Sequence, residues 1–320
     1  MMNKFFKLAL LSLTLTSCTT NNKVLNRTVF YFDTMVDVKL FEGEEENLNG
    51  VLFLLEQYSG MSDNYQNYPS EGINVYDINH TNEEVKVANT LYALLEKAFD
   101  MKNHGATYFN PLCGSLSKKW TDALAKGETL SDSVINAEIS KINSSSLSFK
   151  GESVQRNGDA EIDLGGIAKG YALDFIKQYL DIKELSKYII DAGSSSILLG
   201  ESDKKDGYFT VSMKDLHNTK YLRLKNCFIS TSSISEQGVK IGDVTYSHII
   251  NPVTGSAINK QDAVIVITDN GALGDALSTS MMLNTVEEIK AIEQTTSVKT
   301  IVIKNNSIIY NHPDLQILNR

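Results

Sequence analysis

Eight short runs rich in β-branched and aromatic residues constrain the fold more than any other feature of the chain. Several of them follow one another without an intervening helix, and helical segments separate the others at irregular intervals. This order favours an α+β fold with mainly antiparallel strands over a regularly alternating, doubly wound sheet. The expected strands are Val29–Phe32, Val36–Phe41, Tyr188–Ile190, Ser196–Leu199, Tyr208–Met213, Ala263–Thr268, Val298–Ile303 and Ile308–Tyr310.

Three segments carry helical signals. Between Thr81 and Gly105, apolar residues recur at helical spacing until the glycine ends the pattern. The other two segments each follow two glycines. The sequence therefore predicts helices over 82–103, Ile167–Leu180 and Asp275–Asn284.

The composition indicates one large folded unit. Of 320 residues, 42% are hydrophobic and 22% are charged, which is typical of globular chains. Residues 28–320 contain no repeat and no Pro- or Gly-rich linker, so we predict a single unit of two interleaved lobes. Cys113 and Cys227 are too few for a disulfide framework and are expected to be free, buried thiols. A net charge of −9 argues against broad nucleic-acid binding, which needs a basic surface.

The first 17 residues have the features of an export signal. Lys4 and Lys7 precede an apolar stretch, Leu8–Leu15, that is too short to span a bilayer as a helix. The letters LTSC, ending at Cys18, place small residues before a cysteine, as in the lipobox of bacterial lipoproteins. We expect a lipid on Cys18, a tether over 18–27 and a location in the bacterial cell envelope, facing outside the cytoplasm. An ordinary secretory signal with an incidental cysteine is the alternative.

A glycine pair, Gly165 and Gly166, joins an apolar run to a predicted helix. Glycines let the backbone approach a ligand closely, and a helix start directs N–H groups and the positive end of its dipole outward. Lys169 could add a charge and Asp163 could accept a hydrogen bond, so the segment suits a diphosphate-type ligand. Since it matches neither a Walker loop nor a G-x-G-x-x-G pattern, an ordinary strand–helix turn remains the alternative.

Asp275 and Thr279 lie four residues apart and would share one face of a helix. A carboxylate and a hydroxyl suit Mg²⁺, which takes hard oxygen ligands and completes its shell with phosphate oxygens and water. The pair predicts a magnesium site. A role for Asp275 as a helix cap is the alternative.

Two further segments carry candidate functional groups. His248 follows an apolar run and precedes a Pro/Thr/Gly turn, and an imidazole with a pKa near neutrality suits a general base. Tyr108, Phe109 and Asn110 precede another turn and could stack on, and hydrogen-bond to, a flat ring. Core packing would explain these side chains equally well.

Taken together and in this order, these segments resemble the FAD:protein FMN transferase family, also called ApbE-type flavin transferases and formerly thiamine-biosynthesis lipoproteins. The resemblance covers most of residues 28–285. Its strongest parts are DLGGIAKGYALD at Asp163–Asp174, HIINPVTG at His248–Gly255 and DALST at Asp275–Thr279.

The resemblance implies an enzyme that uses Mg²⁺ and binds FAD, its substrate, between the two lobes. It would split the FAD diphosphate, transfer FMN to a Thr or Ser hydroxyl of another exported protein and release AMP. The implied partners are an exported acceptor, from a redox chain by family analogy, and the membrane through the lipid on Cys18. Nucleic acid is not among them.

The resemblance also assigns roles to individual residues. His248 would take the proton of the acceptor hydroxyl, and Phe32 would lie against the flavin. The metal would be held by the Gly166 carbonyl, Asp275 and Thr279. FAD would be contacted by Tyr108, Phe109, Asn110, Asp163, Lys169 and Ile250.

The chain departs from the family pattern at Ser194, Ser195, Ser233, Asn251 and Val253, where relatives have glycine, acidic or arginine residues. Such changes weaken the support around metal ligands more than the ligands themselves. Three alternatives stay open: hydrolysis of FAD to FMN and AMP, a non-catalytic flavin-binding lipoprotein and, from the string SLSK at residues 115–118, a penicillin-interacting serine enzyme.

Overall fold

A computed structural model describes residues 24–68, 72–213, 216–235 and 238–319. The expected export signal and the lipidation site at Cys18 lie outside these residues. Short 3-10 helices occupy Met101–His104 and Pro111–Cys113. The α-helices are α1 (Glu45–Ser62), α2 (Val75–Asn79), α3 (Asn89–Asp100), α4 (Gly114–Ala125), α5 (Asp132–Ser144), α6 (Ala168–Ile182), α7 (Gly271–Met281) and α8 (Val286–Thr296).

The described strands form one large sheet and three small ones, and all of their pairings are antiparallel. The expected α+β fold is confirmed. The strands are β1 (Leu25–Tyr31), β2 (Thr34–Leu40), β3 (Val85–Lys86), β4 (Ser146–Lys150), β5 (Ser153–Asn157), β6 (Tyr188–Ala192), β7 (Ser196–Leu199), β8 (Phe209–Met213), β9 (Lys220–Leu224), β10 (Cys227–Ser233), β11 (Val239–Ile241), β12 (Val244–Tyr246), β13 (Ala263–Thr268), β14 (Lys299–Lys304), β15 (Ser307–Asn311) and β16 (Ile317–Asn319).

The large sheet has the order β1-β2-β6-β7-β10-β13-β14-β15 and is covered on both faces. Helices α1 and α6 pack against the β1–β7 half of one face through apolar side chains. The small sheet β16-β9-β8 packs on the opposite face. A second lobe, residues 75–157, holds helices α2 to α5 and the sheet β3-β5-β4. The chain enters this lobe from the large sheet and then returns to it, which makes the lobes interleaved.

Two of the three expected helices have different starts. The helix predicted over 82–103 is wrong at its beginning, because Val85 pairs with Val154 in a strand and α3 starts only at Asn89. Helix α7 starts at Gly271, earlier than expected, because the Asn270 side chain caps it by accepting a hydrogen bond from Leu273 N. Asp275 therefore lies inside the helix rather than at its start.

Helices α6 and α7 meet backbone to backbone. A Cβ added to Gly170 would lie 2.1 Å from the Gly271 carbonyl oxygen, so only glycine permits this approach. Each helix also caps the other: Asp174 of α6 accepts hydrogen bonds from Gly271 N and Ala272 N at 2.6 and 3.0 Å. In return, Asp275 of α7 accepts one from Gly170 N at 2.7 Å. The two helices are thereby held in one fixed arrangement.

The cysteines are free, as expected. Cys113 is buried and Cys227 is half-buried, and burial raises the pKa of each thiol to about 12. Neither thiol therefore ionises near neutral pH. In the part of the chain that the structure describes, none of the helices combines the length and the hydropathy needed to cross a bilayer.

Candidate active site

A cavity of about 320 Å³ lies between the two lobes. It joins a second cavity of about 420 Å³, with which it shares Ser117, Asp163, Gly165, Lys169 and His248. We call the two together the cleft. Ten of the eleven residues to which the sequence analysis assigned catalytic, FAD-binding or metal-binding roles line the first cavity: Tyr108, Phe109, Asn110, Asp163, Gly166, Lys169, His248, Ile250, Asp275 and Thr279.

The second cavity contains Phe32, the residue expected against the flavin. Phe32 and Asp33 form the tip of the β1–β2 hairpin and both have positive φ angles, 53° and 55°. Phe32 N donates a hydrogen bond to Ser59 Oγ at 2.8 Å. The hairpin tip is thus fixed at the rim of the cleft.

The glycine pair brings its backbone close to the second lobe and to α7. A Cβ added to Gly166 would lie 3.0 Å from the Phe109 ring and 3.2 Å from Thr279 Oγ1. Asp163 N donates to the Pro111 carbonyl at 2.7 Å, which ties this segment to the 3-10 turn after Asn110. The structure therefore brings together the glycine turn, the aromatic segment and the hydroxyl of α7.

The start of α6 offers fewer free N–H groups than the sequence suggested. The N–H groups of Ile167 and Ala168 donate to the Leu164 carbonyl at 3.0 and 2.9 Å, and that of Gly170 donates to Asp275. The expectation that this helix start cradles an anion through its backbone is therefore wrong for these three groups. The Lys169 side chain, which lines both cavities, remains as a cation for an anionic ligand.

Asp275 is almost fully buried, with 5% of its surface exposed. Its Oδ1 accepts hydrogen bonds from Ser196 Oγ at 2.8 Å and from Ser230 Oγ at 2.6 Å, and its Oδ2 accepts one from Gly170 N. Burial raises the pKa of Asp275, while the Lys169 ammonium and the three donors oppose that rise. The capping alternative is thus realised, but on the neighbouring helix α6 rather than on α7.

Ser196 and Ser230 were missed by the sequence reasoning. They lie opposite each other on β7 and β10. Strand β10 itself was not expected, because its run of hydroxyl residues lacks the apolar density of the other strands. The sequence signal that could have indicated this strand is the alternation of side chains between its two faces, which places Phe228, Ser230 and Ser232 on one face.

His248 lies in the loop after β12 rather than at the end of a strand. Its side chain is exposed at the cleft, and it lines both cavities. Desolvation by the cleft walls and then the Lys169 ammonium lower the pKa of His248 well below its ordinary 6.5. The imidazole is therefore neutral at pH 7 and can accept a proton.

Asp163 lies on the wall that the two cavities share. Its Oδ1 accepts a hydrogen bond from Gly165 N at 2.8 Å. Desolvation raises the pKa of this carboxyl group, and the Gly165 N–H, Lys118 and Lys169 oppose the rise. The carboxyl group is therefore held toward the cleft by the glycine turn, where it can accept a hydrogen bond from a ligand.

The donor set around Asp275 fits Mg²⁺ better than a softer metal. Among the described residues, no group of three or more His, Cys, Asp or Glu side chains could hold a metal ion. The proposed donors in this cavity are instead the Asp275 carboxylate, the Thr279 hydroxyl and the backbone of Gly166. Such a sparse set of oxygen donors suits a cation that keeps waters and phosphate oxygens in its shell.

A family model described as the ApbE family matches residues 32–302. The chain belongs to the ApbE family. It is 28% identical over 217 residues to the FAD:protein FMN transferase of Treponema pallidum (strain Nichols), covering 61% of this chain and 60% of that relative. It is 26% identical over 310 residues to that of Klebsiella pneumoniae (strain 342), covering 92% and 93%. The crystal structure of the ApbE protein from Thermotoga maritima shares the fold, with a TM-score of 0.75, 21% identity and coverage of 91% and 97%.

Two departures from the ApbE pattern lie in the loop after His248. The Asn251 side chain accepts hydrogen bonds from Val253 N and Thr254 N at 2.9 and 3.1 Å. An Asp would accept the same two bonds, so the turn keeps its shape with Asn. The side chain of Val253 is 66% exposed, and the loop does not depend on it for packing.

The remaining departures lie at the β6–β7 turn and at the end of β10. Ser194 has a left-handed backbone, φ 61°, which glycine adopts with less strain, and its N–H donates to Asp191 Oδ1 at 2.6 Å. Ser195 and Ser233 line the first cavity. Neither residue is among the proposed metal donors.

The serine-enzyme alternative finds no support in the geometry. Ser115 Oγ donates a hydrogen bond to Glu138 Oε2 at 2.6 Å. Lys118 Nζ instead donates to Glu161 Oε2 at 2.9 Å and to the Asn64 carbonyl at 3.0 Å. Because the lysine is engaged elsewhere, it does not act as a base on Ser115.

Proposed function

We propose that this ApbE-family protein transfers FMN from FAD to a Thr or Ser hydroxyl of another exported protein and releases AMP. The observation that carries the proposal is the gathering of ten of the eleven assigned residues in one cavity between the lobes. The relatives named FAD:protein FMN transferase support it from sequence.

Lys169 and a magnesium ion would together bind the diphosphate of FAD in this acidic protein. The ion would be held by Asp275, by Thr279 and by the Gly166 carbonyl. When bound, it would reduce the negative charge at phosphorus and stabilise the leaving AMP. Phe109, half-buried Tyr108 and Asn110 would hold a flat ring of the ligand in the same cavity.

His248 would act as the general base. The acceptor hydroxyl attacks the phosphorus of the FMN half, its proton passes to the neutral imidazole, and the bond to the AMP oxygen breaks. The exposure of His248 at the cleft leaves room for a segment of an acceptor protein. The same exposure would admit water, which makes hydrolysis of FAD to FMN and AMP the second candidate.

The test is a product assay with purified protein, FAD and Mg²⁺. It is run with and without a panel of recombinant exported redox-chain subunits, and AMP and covalent FMN are measured by chromatography and mass spectrometry. Release of AMP together with FMN on an acceptor peptide supports the transferase. AMP without an acceptor supports the hydrolase, and FAD binding without AMP in either arm would contradict both and leave a flavin-binding protein.

We also propose that the protein is anchored to the cell envelope by a lipid on Cys18, outside the cytoplasm. The support is the short apolar leader, the LTSC letters and the polar run that follows. An enzyme in that position would meet exported acceptors that are themselves bound to the membrane. By family analogy, such an acceptor would be a redox-chain subunit.

A further inference from the structure

The face of β10 that packs on α7 carries a row of hydroxyl side chains, and successive hydroxyls lie beside successive turns of the helix. A Cβ added to Gly274 would meet Ser230 Oγ at 2.8 Å, so the strand and helix approach closely there. Two residues along β10, Ser232 Oγ lies 3.4 Å from Thr279 Oγ1. Ser196 of β7 lies opposite Ser230 and extends the hydroxyl row to the next strand. The row follows the wall of the cavity that holds the proposed metal ligands.

Hydrogen-bond donors occupy most of the acceptor positions of the Asp275 carboxylate. A carboxylate offers about four lone-pair positions, two on each oxygen. Ser196 and Ser230 donate to Oδ1, and Gly170 N donates to Oδ2. These three donors leave one lone-pair position, on Oδ2, and that position can bind a cation.

We infer that Ser196 and Ser230 are positioning residues for the cation site, an inference that rests on the proposed function. By binding Oδ1 together, they fix the rotation of the carboxylate and present Oδ2 to the cavity. Removing either hydroxyl frees an acceptor position on Oδ1 and lets the group rotate. Partners of this kind change metal affinity by about 10- to 100-fold when they are lost.

The test measures binding of Mn²⁺ in the presence of ADP, which supplies adenosine and a diphosphate without the flavin. Free Mn²⁺ is followed by electron paramagnetic resonance, and the melting temperature is recorded for each protein. The variants are Ser196→Ala, Ser230→Ala and the double variant. We expect each single variant to raise the Kd for Mn²⁺ about 10-fold.

Thr300→Val is the matched control. Thr300 is fully buried and donates its hydroxyl to Glu293 Oε1 at 2.5 Å, and neither residue lines the cleft. It should therefore lower the melting temperature, as any lost buried hydrogen bond does, and leave the Kd for Mn²⁺ unchanged. The serine variants should differ from this control by a higher Kd for Mn²⁺.

Two negative outcomes have different meanings. If the parent binds Mn²⁺, Thr279→Val weakens that binding and the serine variants stay within twofold of the parent, the hydroxyls are structural only and the inference is wrong. If the parent binds no Mn²⁺, or Thr279→Val does not weaken the binding, the cation part of the proposed function fails, and the inference fails with it.

Discussion

Asp275 combines two roles that are often considered exclusive. It caps the first turn of α6 through Gly170 N, and it faces the cavity as the only carboxylate among the proposed metal ligands. Replacing it removes three hydrogen bonds inside the protein as well as a ligand. Loss of activity in Asp275→Ala would therefore not distinguish the two roles. Thr279→Val is the cleaner probe, because its side chain is only half-buried and lies on the same wall.

The lowered pKa of His248 gives a prediction on pH. Because the imidazole must be neutral to accept a proton, activity is lost only as the pH falls through the folded-state pKa. The cleft lowers that pKa to about 4, so the transfer rate should stay flat from pH 8 to about 5 and fall to half near pH 4. His248→Ala should lower the rate about 10²- to 10⁴-fold at pH 7 with little change in FAD affinity.

Lys169→Met tests the cause of the low His248 pKa through the same pH dependence of the rate. It removes one of the two causes of the low pKa and leaves the larger one, desolvation, in place. The acidic limb should therefore move part of the way toward pH 6.5, measured from initial rates at saturating FAD. A parent enzyme that loses half its rate near pH 6.5 would contradict this account of His248.

The helix pair α6–α7 is the element on which the site depends. Gly170 and Gly271 allow contact between the backbones, and Asp174 and Asp275 cap the two helix starts reciprocally. Each cap comes from the other helix, so a displacement of one helix breaks hydrogen bonds at both. The pair therefore fixes Thr279 relative to the glycine turn.

Gly170→Ala should destabilise the protein by about 3 kcal/mol, the upper part of the range for an overpacked site. The added Cβ would lie 2.1 Å from a backbone oxygen that cannot move without separating the helices. Gly50→Ala in α1 is the control, because its Cβ would meet the hydroxyl end of the Tyr179 side chain, which can swing aside. Urea unfolding of both variants measures the difference. Equal stability in the two would contradict the close crossing.

The sequence predicted the elements and residues whose signals are local. The glycine turn, the DALST segment and the aromatic segment each carry their chemistry within a few positions, and the structure places all of them in one cavity. The partners of Asp275 could not be predicted this way. Ser196 and Ser230 are 79 and 45 residues away from it, and only strand pairing brings them together. The predicted start of α3 was wrong because Val85 and Lys86 pair with β5 instead of extending the helix toward its N-terminus.

At the scale of the whole molecule, the net charge distinguishes electrostatic binding to a membrane surface from attachment through an inserted lipid chain. The net charge of −9 opposes binding to anionic lipid surfaces, so the proposed attachment would rely on hydrophobic insertion. The described chain starts at Val24, and six residues separate Cys18 from Leu25, the first residue of β1. An extended segment of that length reaches about 20 Å. A lipid on Cys18 would thus hold the folded part close to the bilayer without involving it in binding.

Cys18→Ser should therefore release the protein from the membrane fraction when it is expressed in a bacterium that processes lipoproteins. The parent should stay in that fraction in 1 M salt, because its attachment is hydrophobic and is not weakened by screening. Labelling with an alkyne-bearing fatty acid should mark the parent and not the variant. The FAD-dependent activity of the two should match, since Cys18 precedes β1, which starts at Leu25. A parent that salt removes, or a Cys18→Ser variant that remains bound, would show that another contact holds the protein at the membrane.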